Sequence, residues 1–480
     1  MIYRYLAIDL GAESGRVMLG TLQEGRISLE ELSRFSNTPI REGDAMYWNI
    51  PSLLDGIRAG LTKAGALGQV ITSVSADAWG VDYVLLDAKG EVMEPVFHYR
   101  HPRTAEGEKR VLARVDWPTL FGESGVQYML LNTSIQLSSE EPQRLTKAKT
   151  ILTIADAFNY LLSGVGRIEV SMASTTQLYN PRLGNWSDRL IQALELPASI
   201  FPEVAQPATT LGPLKPELAG ESGLADLNVV ASLSHDTACA VAACPTQSQR
   251  WAYISSGTWS LMGLELPEPI VTDACRDFNF TNEIGYGGSI RLLKNIIGLW
   301  LVQECRRAWV AEGNDFSYAE LAELAAAAEP HRAVLNPSDP RFLAPDNMPK
   351  RIAETCRETG QPVPETPGAI LRCALDSLAL LYARPLFEAE KLVGWQAEKL
   401  HIVGGGSRNA LLNQLTADAA NIEVVAGPTE ATASGNVLVQ AIAAGVVDSL
   451  AEARQIVRNS FDTKTFEPNP SPELEGIRTR

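Results

Sequence analysis

Asp9-Leu10-Gly11-Ala12-Glu13-Ser14-Gly15-Arg16 lies between two strand-like runs, and its reading decides the fold. Tyr3–Asp9 before it and Arg16–Gln23 after it alternate apolar and polar residues, the period of a half-buried strand, and Arg26–Phe35 follows across Glu24-Gly25. A carboxylate at a strand end, then a glycine-bounded polar turn, can hold a phosphate beside a metal. Gly11 and Gly15 would let backbone N–H groups approach the anion, and Asp9 would orient Mg²⁺ directly or through water. A plain hairpin carrying an incidental Asp has the same sequence.

Outward from this turn, a second strand–turn–strand opening stands about 250 residues on: Ala252–Ser256, Gly257-Thr258, Trp259–Leu266. The pair hints at a duplicated α/β fold. After each opening, helical and strand periods alternate. Leu53–Ala66 reads as a helix, Val70–Ala76 and Tyr83–Leu86 as strands, and Lys294–Ala311 as a strong helix with Ile297, Trp300, Leu301 and Ala308 on one face. Leu371, Leu375, Leu378, Tyr382 and Leu386 mark a buried helix that Pro385 should end or kink. Strand Leu400–Val403, the turn Gly404-Gly405-Gly406, helix Asn409–Ala420, strand Ile422–Ala426 and helix Ala431–Ala444 complete the pattern, which implies mixed α/β domains with a largely parallel sheet. The expected division is 1–245, 246–450 and a tail, 451–480, that could pack back on the first domain.

The chain has 480 residues and a net charge of −16, with 45% hydrophobic and 20% charged residues. That length suits two to four domains and that balance suits a folded enzyme. Acidity without a Lys/Arg run excludes nucleic acid and an anionic membrane as electrostatic partners. No apolar run is long enough to span a bilayer, and the start of the chain lacks a signal-peptide pattern. Six cysteines without a C-x-x-C pair point to reduced thiols in a cytoplasmic setting, although Cys356 and Cys373 could meet. A P-loop, a G-x-G-x-x-G after a strand, the protein-kinase signatures, H-E-x-x-H and G-x-S-x-G are all absent.

The Asp9–Arg16 turn resembles the first phosphate loop of the FGGY carbohydrate kinases, ATP-dependent sugar kinases on a two-domain actin-like (ribonuclease H-like) fold with a cleft between the domains. Further stretches fit a branch that acts on L-rhamnulose. They are Asp77-Ala78-Trp79-Gly80-Val81-Asp82, Ser234-His235-Asp236-Thr237-Ala238, Ser255–Gly263, Leu293-Lys294-Asn295-Ile296 with Gly298-Leu299-Trp300, and His401–Gly406 with Asn409 and Leu411–Leu415. They occur in the family's order over essentially the whole chain.

The resemblance implies roles. Asp236 would be the proton acceptor, and Gly80, His235, Asp236, Thr237 and Asn295 would contact the sugar. Ala12, Glu13, Ser14, Gly15, Arg16, Thr258, Gln303 and Gly405 would contact ATP, and Asp9 would hold Mg²⁺, through water. From the residues alone, Asp236 reads equally as the cap of an Ala-rich helix. Gly80 reads as a turn glycine, and Asn295 and Gln303 as polar residues on a solvated face. Those two are eight residues apart, about 12 Å along one helix. His98, His331 and His401, with Trp79 and Trp259, read as structural.

Two departures stand out. Ala12 replaces a Thr that many members carry, and in Tyr99-Arg100-His101-Pro102-Arg103, His101 replaces the usual carboxylate. The expectation is a monomeric kinase forming L-rhamnulose 1-phosphate from the ketose and Mg·ATP. The alternatives are a kinase for L-fuculose, L-ribulose or D-xylulose, or a non-catalytic actin-like ATPase.

Overall fold

The computed structural model describes residues 1–342, 347–469 and 474. Most of the end of the expected tail, 470–473 and 475–480, therefore lies outside the described residues. Three antiparallel strands open the chain: β1 (Ile2–Leu10), β2 (Ser14–Gln23) and β3 (Arg26–Ser36). Glu24 and Gly25 both take positive φ, the two-residue turn whose twist matches its flanking strands. Helix α1 (Ile50–Ala66) begins where Asn49 accepts from the Ser52 N–H, and it buries Leu53, Ile57, Leu61 and Ala64 along one stripe.

Then follow β4 (Ser73–Ala78), α2 (Ile154–Ser163), β5 (Thr209–Pro213), β6 (Asn228–Ala231), α3 (Asp236–Ala242), β7 (Trp251–Ser256) and β8 (Trp259–Leu266). Later elements include β9 (Thr281–Ile284), β10 (Ile290–Ile297), α4 (Trp300–Ala311), α5 (Pro367–Val393), β11 (Lys399–Val403) and α6 (Ala410–Ala420). Last come β12 (Val424–Ala426), α7 (Ala431–Ala443), α8 (Leu450–Ser460) and β13 (Lys464–Phe466).

Two compact units are interleaved along this order. The first holds Met1–Pro245, Leu266–Leu292 and Ala431–Ser460; the second holds Thr246–Glu265, Leu293–Glu430 and the chain from Phe461. The sheet of the first unit runs β5-β6-β4-β1-β2-β3, with β4 parallel to both β1 and β6. Helix α7 lies on β1 and β4, where Gln440 Nε2 donates to the Leu6 carbonyl at 2.9 Å and Asn436 Nδ2 donates to the Ser75 carbonyl at 3.2 Å. It also crosses α3 at Gly435, where an added Cβ would stand 1.9 Å from the Cys239 carbonyl oxygen.

A second sheet, β9-β10-β8-β7-β11-β12-β13, repeats the plan from β10 onward, with β7 antiparallel to β8 and parallel to β11; the chain passes from the first unit to the second within β10, after Leu292. In both sheets a three-strand opening is followed by two inner parallel strands, which is the duplication that the paired openings suggested.

Two expectations are corrected. Residues 294–297 are not the start of a helix: Ile290–Ile297 is a strand, Gly298 packs against the Gly257 carbonyl, and α4 begins only at Trp300. Of the two outcomes expected at Pro385, an end or a kink, the end does not occur: α5 continues to Val393, where Gly394 in the left-handed conformation caps it.

Candidate active site

In the first unit the Asp9–Arg16 turn is fastened from outside by a residue the motif does not include. Asn37 donates its N–H to the Glu13 carbonyl and its side-chain amide to the Gly11 carbonyl, both at 2.9 Å. The two glycines serve the turn otherwise than expected. The Gly11 N–H is engaged by the Ser14 carbonyl at 2.9 Å, and a Cβ on Gly15 would enter the Phe35 ring at 2.3 Å. Ala12 and Ser14 are half-buried and Glu13 is exposed.

Asp9 ends β1 in an ion pair with Arg16 and stands in register with Asp77 on β4. Asp77 is fully buried; its Oδ2 accepts from Asn436 Nδ2 at 2.5 Å, while its Oδ1 has no hydrogen-bond partner. Burial, reinforced by the charge of Asp9, drives the Asp77 pKa well above the usual carboxylate range.

Asp236 occupies the first position of α3, so the helix cap is the preceding residue, His235. The Asp236 side chain is 32% exposed, and its Oδ1 accepts from the Thr237 N–H at 2.5 Å and the Thr237 hydroxyl at 3.2 Å. Desolvation raises its pKa, His235 opposes that rise and Asp9 adds to it. His235 Nε2 stands 3.5 Å from Asp236 Oδ1. Gly80 adjoins the same ring: a Cβ there would lie 3.4 Å from His235 Nε2 and from the Thr175 side chain.

The next residue, Val81, holds φ at +70°, which is strained for a β-branched side chain. Its carbonyl is tied down by Thr133 Oγ1 at 2.6 Å and by Gln136 Nε2 at 3.3 Å. Behind the loop, buried Glu169 accepts from the Ser234 N–H at 2.9 Å and Asp156 accepts from the Ser234 hydroxyl at 2.7 Å. Thus Gly80, His235, Asp236 and Thr237 come together, with Thr175, Asp156 and Glu169 as neighbours that the motifs did not contain, and with Asp77, which opens a motif but was given no role. The signal available for the acids was a charge inside an otherwise apolar, buried run.

In the second unit Thr258 sits half-buried between β7 and β8, and its carbonyl accepts from the Gly298 N–H at 3.1 Å and the Trp300 N–H at 3.2 Å. The glycine triplet meets the same turn: a Cβ on Gly406 would stand 2.0 Å from Ser256 Oγ, and one on Gly404 would stand 3.0 Å from the Ser256 carbonyl oxygen. Gly405 alone faces open space. Gln303, in the first turns of α4, has a buried Oε1 without a hydrogen-bond partner. Asn295 is half-buried on β10, so it and Gln303 do not share a helix, and the 12 Å spacing expected for them does not apply.

The altered loop at His101 has its own carboxylate. Arg103 pairs with buried Glu140 at 2.9 Å, and His101 Nδ1 accepts from the Arg103 N–H at 3.1 Å. His98 is buried, stacked on Trp48, and burial pushes its pKa down to about 3. His401 packs edge-on against Trp251, and His331 lies beside Asp376. All six cysteines are free and buried. Among the described residues there is no group of three or more His, Cys, Asp or Glu side chains that could hold a metal ion, and no helix is long and apolar enough to cross a membrane.

Residues 4–243 match the N-terminal domain of the FGGY family of carbohydrate kinases, and residues 252–444 match its C-terminal domain. The chain is 42% identical over 464 residues to a rhamnulokinase of Bacillus subtilis (strain 168), covering 97% of this chain and 95% of that protein. It is also 42% identical to a rhamnulokinase of Bacteroides thetaiotaomicron, covering 98% and 96%. A crystal structure of Plasmodium falciparum glycerol kinase with ADP superposes with a TM-score of 0.80 at 13% identity, covering 100% of this chain and 96% of that one. At that identity the likeness speaks for the fold, which is the two-domain actin-like architecture of sugar kinases.

Proposed function

The chain belongs to the FGGY family of carbohydrate kinases, and on that premise we infer that it transfers the γ-phosphoryl group of ATP to O1 of L-rhamnulose, releasing L-rhamnulose 1-phosphate and ADP in rhamnose catabolism. The observation that carries this reading is the part-exposed Asp236 carboxylate beside His235 and Gly80, in a chain whose curated relatives are rhamnulokinases. As O1 bonds to the γ-phosphorus and the bond to the bridging oxygen of ADP breaks, the O1 proton passes to Asp236. A carboxylate with a raised pKa accepts that proton more readily, and such a base contributes about 10²–10⁴-fold. The absence of a side chain on Gly80 leaves the sugar a place against the backbone, while His235, Thr237 and Asn295 supply polar contacts.

ATP falls to the segment Ala12, Glu13, Ser14, Gly15 and Arg16 together with Thr258, Gln303 and Gly405. The openness at Gly405 and the unpartnered Gln303 Oε1 support the last two. Asp9, at the phosphate turn and ion-paired with Arg16, would give its one carboxylate to Mg²⁺, directly or through water, with the substrate phosphates supplying the other ligands. When bound, the ion would offset charge on the β- and γ-phosphates. The first unit carries the sugar contacts Gly80, His235, Asp236 and Thr237, and the second carries the ATP contacts Thr258, Gln303 and Gly405. The enzyme is placed in the cytoplasm as a monomer, where ATP is available and free thiols persist.

The test is ADP release with Mg·ATP and L-rhamnulose, L-fuculose, L-ribulose, D-xylulose or glycerol, against a blank without sugar. Strong preference for L-rhamnulose is expected. Turnover equal to the blank with every sugar would remove the function and leave the fold.

A further inference from the structure

Behind His235 lies an ion pair that none of the motifs contains. Glu283 on β9 and Arg291 on β10 are buried within the first unit, at 4% and 0% exposure, with Arg291 Nη2 3.1 Å from Glu283 Oε2. Both reach the same ring nitrogen: Arg291 Nη2 is 3.1 Å from His235 Nδ1 and Glu283 Oε2 is 3.2 Å from it. Arg291 is held in place by the Ile284 carbonyl, which accepts from its Nη2 at 3.3 Å and its Nε at 3.4 Å. The Ile284 N–H in turn donates to Ser174 Oγ at 2.9 Å.

These contacts determine where the imidazole keeps its proton. A guanidinium offers only donors and does not lose a proton in a protein. In a hydrogen bond between Arg291 Nη2 and Nδ1 the guanidinium is the donor, so Nδ1 presents its lone pair to it. Glu283 Oε2, 3.2 Å from Nδ1, is the competing acceptor for a hydrogen there, but the same oxygen also faces Arg291 Nη2 at 3.1 Å. The proton therefore sits on Nε2, the nitrogen that faces Asp236 Oδ1 and the space over Gly80. A buried ion pair is commonly no more stabilising than a well-packed apolar pair, so stability alone does not account for one here.

We propose that Arg291, steadied by Glu283, is a positioning residue: it fixes His235 as the Nε2–H tautomer and so aims a donor at the base Asp236 and at the sugar beside it. The proposal rests on the kinase reading for its kinetic consequence but not for its structural one. Arg291 and Glu283 touch neither substrate, and their effect passes through one imidazole.

The experiment has a spectroscopic and a kinetic arm, both on the full chain. Nitrogen-15 spectra of labelled histidine, with the His235 signals assigned through His235→Asn, should show only the Nε2–H form in the wild type. The double variant Arg291→Met/Glu283→Leu, which replaces the pair with apolar groups, should retain a cooperative melt yet mix the two tautomers. Its kcat should fall by about 10–100-fold with KM for ATP unchanged.

Arg291→Lys, which keeps the charge without the fork, should fall between the two and serves if the double variant does not fold. A wild-type proton on Nδ1 overturns the proposal, as does a released tautomer with unchanged kcat. A wild type inactive on every sugar would instead sink the kinase reading, and the spectra would still decide the role of Arg291.

Discussion

At the scale of single residues, one carboxylate and one missing side chain carry the chemistry. Asp236→Asn should bind ATP as the wild type does and lose about 10²–10⁴-fold in kcat, read by ADP release beside a nucleotide-binding titration. Unchanged turnover would take Asp236 out of the mechanism. Gly80→Ala puts a methyl group 3.4 Å from His235 Nε2 and Thr175, ordinary contact distance, so the fold should tolerate it. The sugar would have to yield instead, and the expected outcome is a raised KM for the ketose with KM for ATP unmoved. Both residues were legible in the sequence, because Trp79-Gly80 and His235-Asp236 are short strings whose members stay neighbours after folding. Arg291 and Glu283 were not: their meaning depends on a ring that precedes them by about fifty residues.

At the scale of elements, the sequence was read well where pattern and pairing agree and poorly where they compete. The three opening strands and α1 have one consistent period each, and they appear within a few residues of where they were expected. Ile290–Ile297 does not. Leu292, Leu293, Ile296 and Ile297 are spaced as on a helix face, yet the segment is taken up beside β8, and only the later pairing could reveal this. Pro385 misled in the opposite direction, since burial on both sides of it holds α5 together through the break in its ladder.

Helix contacts also invert the usual glycine rule. Gly435→Ala, a gain in helix propensity, should destabilise the protein by about 1–3 kcal/mol, because the new Cβ meets the Cys239 carbonyl. Gly220→Ala, in the helix Pro216–Ser222 with nothing within 4 Å, should stabilise it by about 0.5–1 kcal/mol. Calorimetric melts of the two variants check both signs.

At the scale of the whole molecule, buried acids couple stability to pH. Burial raises Asp156 to about 8 and Asp82 to about 6, and it also raises Glu169. Each therefore favours folding when protonated, a contribution complete below the ordinary carboxylate range and lost as pH rises through the folded value. His98, depressed to about 3, acts oppositely: it lowers stability as pH falls from its ordinary value near 6.5. Between about pH 6.5 and 8 the Asp156 loss stands without that opposition, so the melting midpoint should decline across this window. Asp156→Asn should flatten the decline; an equal slope in the variant would refute the assignment.

The interleaving of the units has a consequence for how such a protein can be altered by recombination. The chain passes between units at 245, 265, 292, 430 and 460, and α7 anchors itself to strands laid down more than 350 residues earlier through Gln440 to Leu6 and Ser73 and Asn436 to Asp77. A single crossover near 245 between two relatives would not exchange a module. It would leave one parent's α7 on the other parent's β1 and β4, with Asn436 facing a foreign partner at position 77. Transplanting the unit that holds Asp236 therefore means exchanging three segments together, 1–245, 266–292 and 431–460, and chimeras that move only the first should fail to accumulate as folded protein.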